Sequence, residues 1–353
     1  MHTNAIKIAK DNVTLQSPLK GSWKDRNKHF SNVLNDPWYK LLFLLTGEIT
    51  YAVTDYFRAH GFMPALAPIT AQSVTSPMGL GSDSLPVSVQ LFDKQTYLMD
   101  SMQFHLEYLL RQFPDGVFYI MPTFRGEDSD ARHLNEFFHI EAEFIGSLED
   151  NIKHIESLLC SCVKRIVQIN GDSIASYTGN LDHLNQLAID VESGGLPRIK
   201  FKDAADLLGH DRDYYNYHEN KIISLTSKAE KKLLEHYNKP VWLTHLPSIG
   251  VPFYQADSDD KGYSLCADLL MGIGETVGCG QRHETYQQTL DALNLREVDQ
   301  AVYDWYLRLK KEYPMQTSGF GVGLERFLLW ILKHDDIRDT QLIVRQKGLD
   351  SIP

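Results

Sequence analysis

The stretch FRGEDSDARHLNEFFHIEAEF, residues 124–144, decides the fold of this 353-residue chain. It predicts two strands that are joined by a charged loop. A period of two along the second strand sets Phe137, His139, Glu141 and Glu143 on one face and leaves the other face apolar. One face is therefore expected to pack in a core while the other displays charge, which favours a ligand-binding hairpin.

A nucleoside triphosphate fits this charged face. The planar guanidinium groups of Arg125 and Arg132 suit its phosphate oxygens, and the ring of Phe137 suits stacking on a purine. The carboxylates of Glu127 and Glu141 can accept hydrogen bonds from an exocyclic amine or from a substrate ammonium group. A solvated hairpin of salt bridges is the alternative, but it requires neither the inserted ring nor an apolar reverse face.

A second pattern near the C-terminus, GFGVGLER at 319–326, has glycine at every second position. Such glycines clear one face of a strand, so that a flat ligand can lie against the backbone. An apolar helix with Arg326 in its first turn is expected to follow. The spacing is not that of a P-loop or a dinucleotide-binding motif. In combination with the hairpin, it predicts a nucleotide site.

Together these residues resemble the catalytic domain of class II aminoacyl-tRNA synthetases of the aspartate/asparagine branch. The hairpin is similar to the second signature motif of that family, residues 319–326 to the third, and residues 61–62 with 67–70 to the first. The resemblance implies an α+β fold with an antiparallel β-sheet flanked by helices, and a homodimer formed through the first motif. It also implies an ATP-dependent, AMP-forming amino-acid ligase.

The resemblance assigns roles to single side chains. Arg125 and Arg326 would be catalytic: the first would hold the α-phosphate, and the second would cover the adenine. The implied ATP-binding residues are Arg125, Glu127, Arg132, His133, Phe137, Glu275 and Arg326, of which Arg132 and His133 would reach the outer phosphates. The implied amino-acid-binding residues are Ser101, Gln103, Glu141 and Arg282. Asp268 and Glu275 match the two acids that hold Mg²⁺, which prefers hard carboxylate and phosphate oxygens.

Three features differ from the tRNA-charging members of that family. Where those members carry an anticodon-reading barrel, residues 1–36 are too few to form one. The segment 75–83, together with His105, is more similar to the archaeal-type asparagine synthetase. Leu106 stands where aspartate-using members have a lysine, so a second cation is not expected in the side-chain pocket.

These features predict adenylation of an aspartate- or asparagine-like amino acid by ATP, followed by transfer to ammonia or another small amine, without tRNA. Two alternatives stay open. One is an asparaginyl-tRNA synthetase-like ligase that charges tRNA or a carrier. The other is a non-catalytic synthetase paralogue that senses amino acids.

Composition is that of a cytoplasmic enzyme. The net charge is −11, and the sequence has no clustered basic stripe. Both features disfavour tRNA as a partner without excluding it. No apolar run approaches the length of a membrane span, and the N-terminus lacks the apolar core of a signal peptide. We expect residues 1–36 to form an irregular N-terminal arm and 37–353 the catalytic domain, with a helical insertion at 171–239.

Overall fold

The computed structural model describes residues 15–75, 84–209 and 211–349, so most of the segment 75–83 lies outside the described residues. The α-helices in these ranges are α1 (Arg26–Asn35), α2 (Pro37–Ala59), α3 (Gln103–Leu109), α4 (Leu148–Thr178), α5 (Asp182–Glu192), α6 (Phe201–Leu208), α7 (Ser227–Tyr237), α8 (Tyr286–Leu295), α9 (Asp304–Glu312) and α10 (Leu324–Ile331). The β-strands are β1 (Met63–Pro64), β2 (Thr70–Ala71), β3 (Val87–Leu91), β4 (Lys94–Leu98), β5 (Val117–Phe124), β6 (Glu136–Ile145), β7 (Arg198–Lys200), β8 (Tyr215–His218), β9 (Lys221–Leu225), β10 (Val241–Thr244), β11 (Cys266–Met271), β12 (Gly274–Gln281) and β13 (Thr317–Gly323).

One eight-stranded sheet organises the chain, in the order β1-β5-β6-β13-β12-β11-β10-β7. Its six central strands pair antiparallel, and only the two edge strands, β1 and β7, pair parallel to their neighbours. Two smaller sheets, β2-β4-β3 and β8-β9, lie outside it. The predicted α+β class, with an antiparallel sheet flanked by helices, is confirmed.

One face of the main sheet is buried beneath α2 and α4. The ring of Phe57 on α2 stacks on Phe118 of β5 with 4.4 Å between ring centroids. Ile140, Ala142 and Phe144 of β6 belong to the same core, as the alternation along the hairpin predicts. Because this face is filled by hydrocarbon, the side chains that alternate with it point to the opposite face, where the candidate site lies.

Local sequence sets the ends of the two covering helices. Asp36 accepts a hydrogen bond from the Trp38 amide, and Pro37 occupies the first turn of α2, a combination typical of helix starts. A reciprocal capping box between Ser147 and Asp150 begins α4. That helix continues to Thr178, because its apolar periodicity extends through Ile174 into the core.

Two predictions about segments need correction. The N-terminal arm is not irregular throughout, because α1 forms within it behind an Asp25 cap. The segment 171–239 is not only helical: it contributes edge strand β7 to the main sheet and also forms the β8-β9 hairpin. Short strands flanked by polar residues carry too weak a period to be read from sequence.

Among the described residues, every helix is either too short or too polar to cross a bilayer.

Candidate active site

Glycines form a flat floor in the middle of the main sheet. Across four neighbouring strands, Glu141 lies opposite Gly321, Gly321 opposite Gly278, and Gly278 opposite Asp268. A Cβ atom at Gly278 would lie 3.0 Å from Glu275 Oε1 and 3.8 Å from Asp268 Oδ1. The absence of side chains at these glycines therefore leaves an open surface, with Glu141 at one end and two carboxylates at the other.

A second row of the sheet is more crowded. Gly319 lies opposite Glu143, and Gly280 lies opposite Gly319. A Cβ atom at Gly319 would overlap the Glu143 carboxylate, and one at Gly280 would overlap the Gln255 side-chain oxygen. Glycine is required at both positions because polar side chains from neighbouring segments already occupy the space above them.

The second-motif hairpin holds the residues predicted to meet the adenine and the α-phosphate. The Arg125 guanidinium lies over the Phe137 ring at 5.4 Å, and its buried Nε lacks a hydrogen-bond partner among the described residues. Asn135 fixes the loop by donating to the backbone oxygens of Arg125 and Glu127. The Glu127 carboxylate in turn accepts a hydrogen bond from the Leu85 amide at 3.1 Å.

The loop of the hairpin carries the two residues predicted to reach the outer phosphates. The backbone amides of Arg132 and His133 both donate to Asp130 Oδ1, at 2.7 and 2.8 Å, and the His133 ring lies 3.0 Å from the same oxygen. Arg326 on α10 donates to the backbone oxygens of Arg132 and Glu275. The loop, α10 and the β11-β12 hairpin are therefore tied together at this end of the site.

A cluster of carboxylates lies beside these arginines. Burial and the neighbouring carboxylates of Glu275 and Glu230 raise the pKa of Asp268 well above its usual range. Such a cluster fits a hard divalent cation, which relieves the repulsion that the carboxylates suffer alone. Among the described residues, no group of three or more His, Cys, Asp or Glu side chains is placed to hold a metal ion. Phosphate oxygens would have to complete the coordination.

The residues predicted to hold the substrate amino group come together on the floor. Ser101 donates to Glu141 Oε2 at 2.7 Å, and the Tyr119 hydroxyl donates to the same oxygen. The backbone N–H of Gln103 donates to Ser101 Oγ at 3.2 Å. The side-chain Nε2 of Gln103 is buried and has no partner among the described residues. This corner thus offers acceptors in a buried position, as an ammonium group requires.

Arg282 is buried beside the second row of glycines, where it pairs with the side chains above Gly319 and Gly280. Its Nε donates to Glu143 Oε1 and its Nη1 to Gln255 Oε1, both at 2.9 Å, while the guanidinium covers the Tyr254 ring at 5.4 Å. Glu143 Oε2 is buried and lacks a partner among the described residues. Burial raises the pKa of Glu143 to about 7, although the charge of Arg282 opposes this shift.

Leu106 is fully buried and packs in an apolar cluster with Met99, Met102 and Leu110. A lysine at this position would enter an apolar core, so substituting it is expected to destabilise the fold rather than to change specificity. Buried Lys310 of α9 is a second cation in this region, but it pairs with Glu107, so the absence of a second cation from the side-chain pocket itself stays a prediction.

Several residues of the site were not predicted. Glu143 lies on the predicted charged face, so alternation alone could have suggested it. Gln255 and Lys310 reach the pocket from segments that carry no motif, and Glu230 reaches the carboxylate cluster from α7. Nothing in the local sequence around these three residues signals a site.

The eight-stranded sheet, its glycine floor, and Arg125 and Arg326 after strands β5 and β13 are the features of a class II synthetase catalytic domain. The chain belongs to the family of tRNA synthetases class II (D, K and N), whose family model matches residues 25–347. The aspartate/asparagine branch fits, and the prediction of an ATP-dependent ligase of this class is confirmed.

Individual relatives lie in the asparagine branch. The chain is 29% identical over 317 residues to an asparagine–tRNA ligase of Thermococcus gammatolerans, covering 88% of this chain and 70% of the relative. It is 31% identical over 316 residues to the asparaginyl-tRNA synthetase of Mus musculus, covering 83% and 64%. The structure of asparaginyl-tRNA synthetase from Pyrococcus horikoshii in complex with asparaginyl-adenylate superposes with a TM-score of 0.81 at 26% identity, covering 92% and 72%.

These relatives overturn the main functional prediction, a tRNA-independent ligase similar to asparagine synthetase. They are named as tRNA ligases, which agrees with the first alternative. The prediction was wrong because the length of the N-terminal arm and the net charge carry no information on the acceptor, whereas the residues for adenylation are common to both reactions.

Proposed function

We propose that this protein activates asparagine with ATP and transfers the asparaginyl group to tRNA. The observation that carries the proposal is the buried pair of Arg282 and Glu143. Three of the five N–H groups of Arg282 donate to Glu143 and Gln255, so two donors remain for a substrate oxygen. Glu143 Oε2 remains as an acceptor. A carboxamide offers one acceptor and one donor group, and both would be satisfied.

Charge supports the same choice. A carboxylate side chain would enter a pocket in which Arg282 already faces Glu143, so it would lie near an ionised carboxylate with little net positive charge to offset it. A neutral carboxamide avoids this repulsion. Because unsatisfied buried polar groups cost about 1–3 kcal/mol each, loss of a single hydrogen bond in this pocket discriminates well between the two amino acids.

The chemistry requires positioning more than a protein nucleophile. The α-carboxylate of asparagine attacks the α-phosphorus of ATP, the bond to the bridging oxygen breaks, and pyrophosphate leaves. Arg125 and Arg326 would offset charge on the phosphoryl oxygens. Asp268 and Glu275 would hold Mg²⁺, which supplies further positive charge against the phosphates. A tRNA ribose hydroxyl then attacks the acyl carbon, and AMP leaves.

Two assays test the proposal on the full chain. In ATP–pyrophosphate exchange, asparagine should support turnover at least about tenfold better than aspartate, a difference of about 1.4 kcal/mol. With labelled asparagine and total tRNA, acid-precipitable label should accumulate and disappear after alkaline hydrolysis of the ester. Exchange that prefers aspartate would contradict the amino-acid assignment, and exchange without charging of tRNA would contradict the acceptor.

We also propose that the chain works as a homodimer through α2 and the segment after β1. Large apolar side chains are exposed there, with Phe43 at 68%, Tyr51 at 59% and Leu66 at 95%. Such a patch is typical of an interface. Sedimentation velocity should give a dimer for the wild type and a monomer for Phe43→Glu. The control is Phe92→Glu, which changes an even more exposed phenylalanine at the β3-β4 turn.

Preference for asparagine is expected to rise with pH, because Glu143 must be ionised to accept a hydrogen bond from the carboxamide. With a pKa raised to about 7, Glu143 is mostly protonated at pH 6, where it could donate to aspartate, and mostly ionised at pH 8. The ratio of kcat/KM for asparagine over aspartate should therefore increase by up to about tenfold between pH 6 and pH 8. Exchange measured across this range checks the result, and Glu143→Gln should remove the slope.

A further inference from the structure

A glutamate outside every motif lies at the phosphate end of the candidate site. Glu230 is in the first turn of α7, and its Oε2 accepts a hydrogen bond from Arg132 Nη2 at 2.6 Å. The two side chains are only 16% and 24% exposed. Most ion pairs on a protein surface contribute little to stability. This pair is largely shielded from water, so its electrostatic interaction is stronger and its geometry is better defined.

Helix α7 holds Glu230 in a fixed position. The neighbouring Ala229 and the next turn's Leu233 are fully buried in a core formed with Val241, Leu243 and Leu270 of the main sheet. An acidic residue in a first helical turn also interacts favourably with the helix dipole. The carboxylate therefore reaches the site from a rigid element and not from a loose surface helix.

The pair lies directly above the turn that precedes Glu275. A Cβ atom at Gly274 would overlap both Glu230 and Arg132, and the φ of +136° at Gly274 also favours glycine. Arg326 donates to the backbone oxygens of both Glu275 and Arg132. Four segments thus meet here: the hairpin loop, the β11-β12 turn, α10 and α7.

We propose that Glu230 is the positioning residue of Arg132, and so makes the phosphate end of the ATP site depend on the segment between β6 and β10. The proposal rests on the proposed function and on the role that the resemblance gives Arg132 at the outer phosphates of ATP. Glu230 itself does not touch the phosphates. Its carboxylate binds Nη2 of the Arg132 guanidinium, and this contact sets the direction in which the remaining N–H groups point.

Removal of Glu230 should weaken ATP binding for two reasons. A free arginine side chain must give up rotamer entropy when it binds phosphate, and the ion pair has already removed that freedom. A released Arg132 would also be attracted to Glu275 and Asp268, the remaining carboxylates of this cluster, which are needed for Mg²⁺. Both effects oppose ATP binding.

Isothermal titration calorimetry with a non-hydrolysable ATP analogue and Mg²⁺ tests the proposal on the full chain. Glu230→Ala should raise the Kd by about tenfold, and Glu230→Gln, which keeps the volume and an acceptor oxygen, by less. In an Arg132→Ala background, Glu230→Ala should change the Kd by less than about twofold, because Glu230 acts only through Arg132. Glu235→Ala is the matched control, since Glu235 is an exposed glutamate of the same helix.

Exchange kinetics give a second readout that a merely structural role would not produce. For Glu230→Ala, KM for ATP should rise by about tenfold, while kcat and KM for the amino acid stay within about twofold. Binding by Glu230→Ala that equals or exceeds the wild type, or a loss that persists undiminished in the Arg132→Ala background, would overturn the proposal. Failure of the wild type to use asparagine would instead remove the proposed function, and the calorimetric cycle would still decide the role of Glu230.

Discussion

Replacing Arg125 with alanine is expected to lower kcat/KM for ATP–pyrophosphate exchange by about 10³-fold, because a fixed donor to a developing charge contributes roughly this much. The guanidinium lies over Phe137 at 5.4 Å, and its buried Nε has no partner among the described residues. A buried donor without a partner in the free protein is available to a phosphate or carboxylate oxygen as soon as the substrates bind. Exchange measured at saturating amino acid gives the result.

Two further variants sharpen this experiment. Arg125→Lys keeps the charge but loses the planar fork, so it should recover less than about a tenth of the lost activity. Arg308→Ala, at an exposed arginine on α9 that pairs only with its helical neighbour Glu312 in the described structure, should leave kcat/KM unchanged. Retention of more than a tenth of wild-type activity by Arg125→Ala would show that another group holds the α-phosphate.

The parts of the site that sequence predicts are those that lie on one regular element. A period of two predicted Glu141 on the charged face and Ile140 in the core, and both lie there in the structure. The alternating glycines from Gly319 similarly predicted a flat strand, and they pair with further glycines of β12. Local period is enough here because antiparallel register carries one face across several strands.

Contacts between distant segments could not be predicted in this way. Arg132 and Glu230 are separated by 98 positions, and Arg282 and Glu143 by 139. The first pair depends on how α7 packs against the site, and the second on the strand order that places β12 two strands from β6, neither of which a local pattern encodes. Leu106 shows the same limit: the resemblance suggested a place in the side-chain pocket, whereas the side chain is buried in an apolar cluster.

The acceptor was the part of the function that motif reasoning predicted wrongly. Adenylation needs the same arginines and carboxylates whether ammonia or tRNA attacks next, so these residues could not distinguish the two. Close packing around Arg282, by contrast, concerns the side chain of the amino acid. The structure is therefore most informative about which amino acid is activated, and that pocket gives the second large prediction.

Replacing Arg282 with alanine should abolish discrimination between asparagine and aspartate, leaving a ratio of kcat/KM below about threefold, while ATP affinity stays within about twofold. The change removes the donor to the substrate side chain and also the hydrogen bonds to Glu143 and Gln255. Because Glu143 is then buried without its cation, Arg282→Ala should also lose about 3–5 kcal/mol of folding stability.

A double variant separates recognition from stability. Arg282→Met with Glu143→Gln removes both charges at similar volume, so it should recover most of the lost free energy of unfolding, since no unpaired carboxylate is left in the core. Discrimination between asparagine and aspartate should not return, because the substrate carboxamide still lacks the Arg282 donor and the Glu143 acceptor. Thermal melting and exchange with each amino acid measure the two effects. If Arg282→Ala still prefers asparagine by tenfold or more, then recognition of the side chain resides elsewhere, and the corner formed by Ser101, Gln103 and Glu141 would be the next place to test.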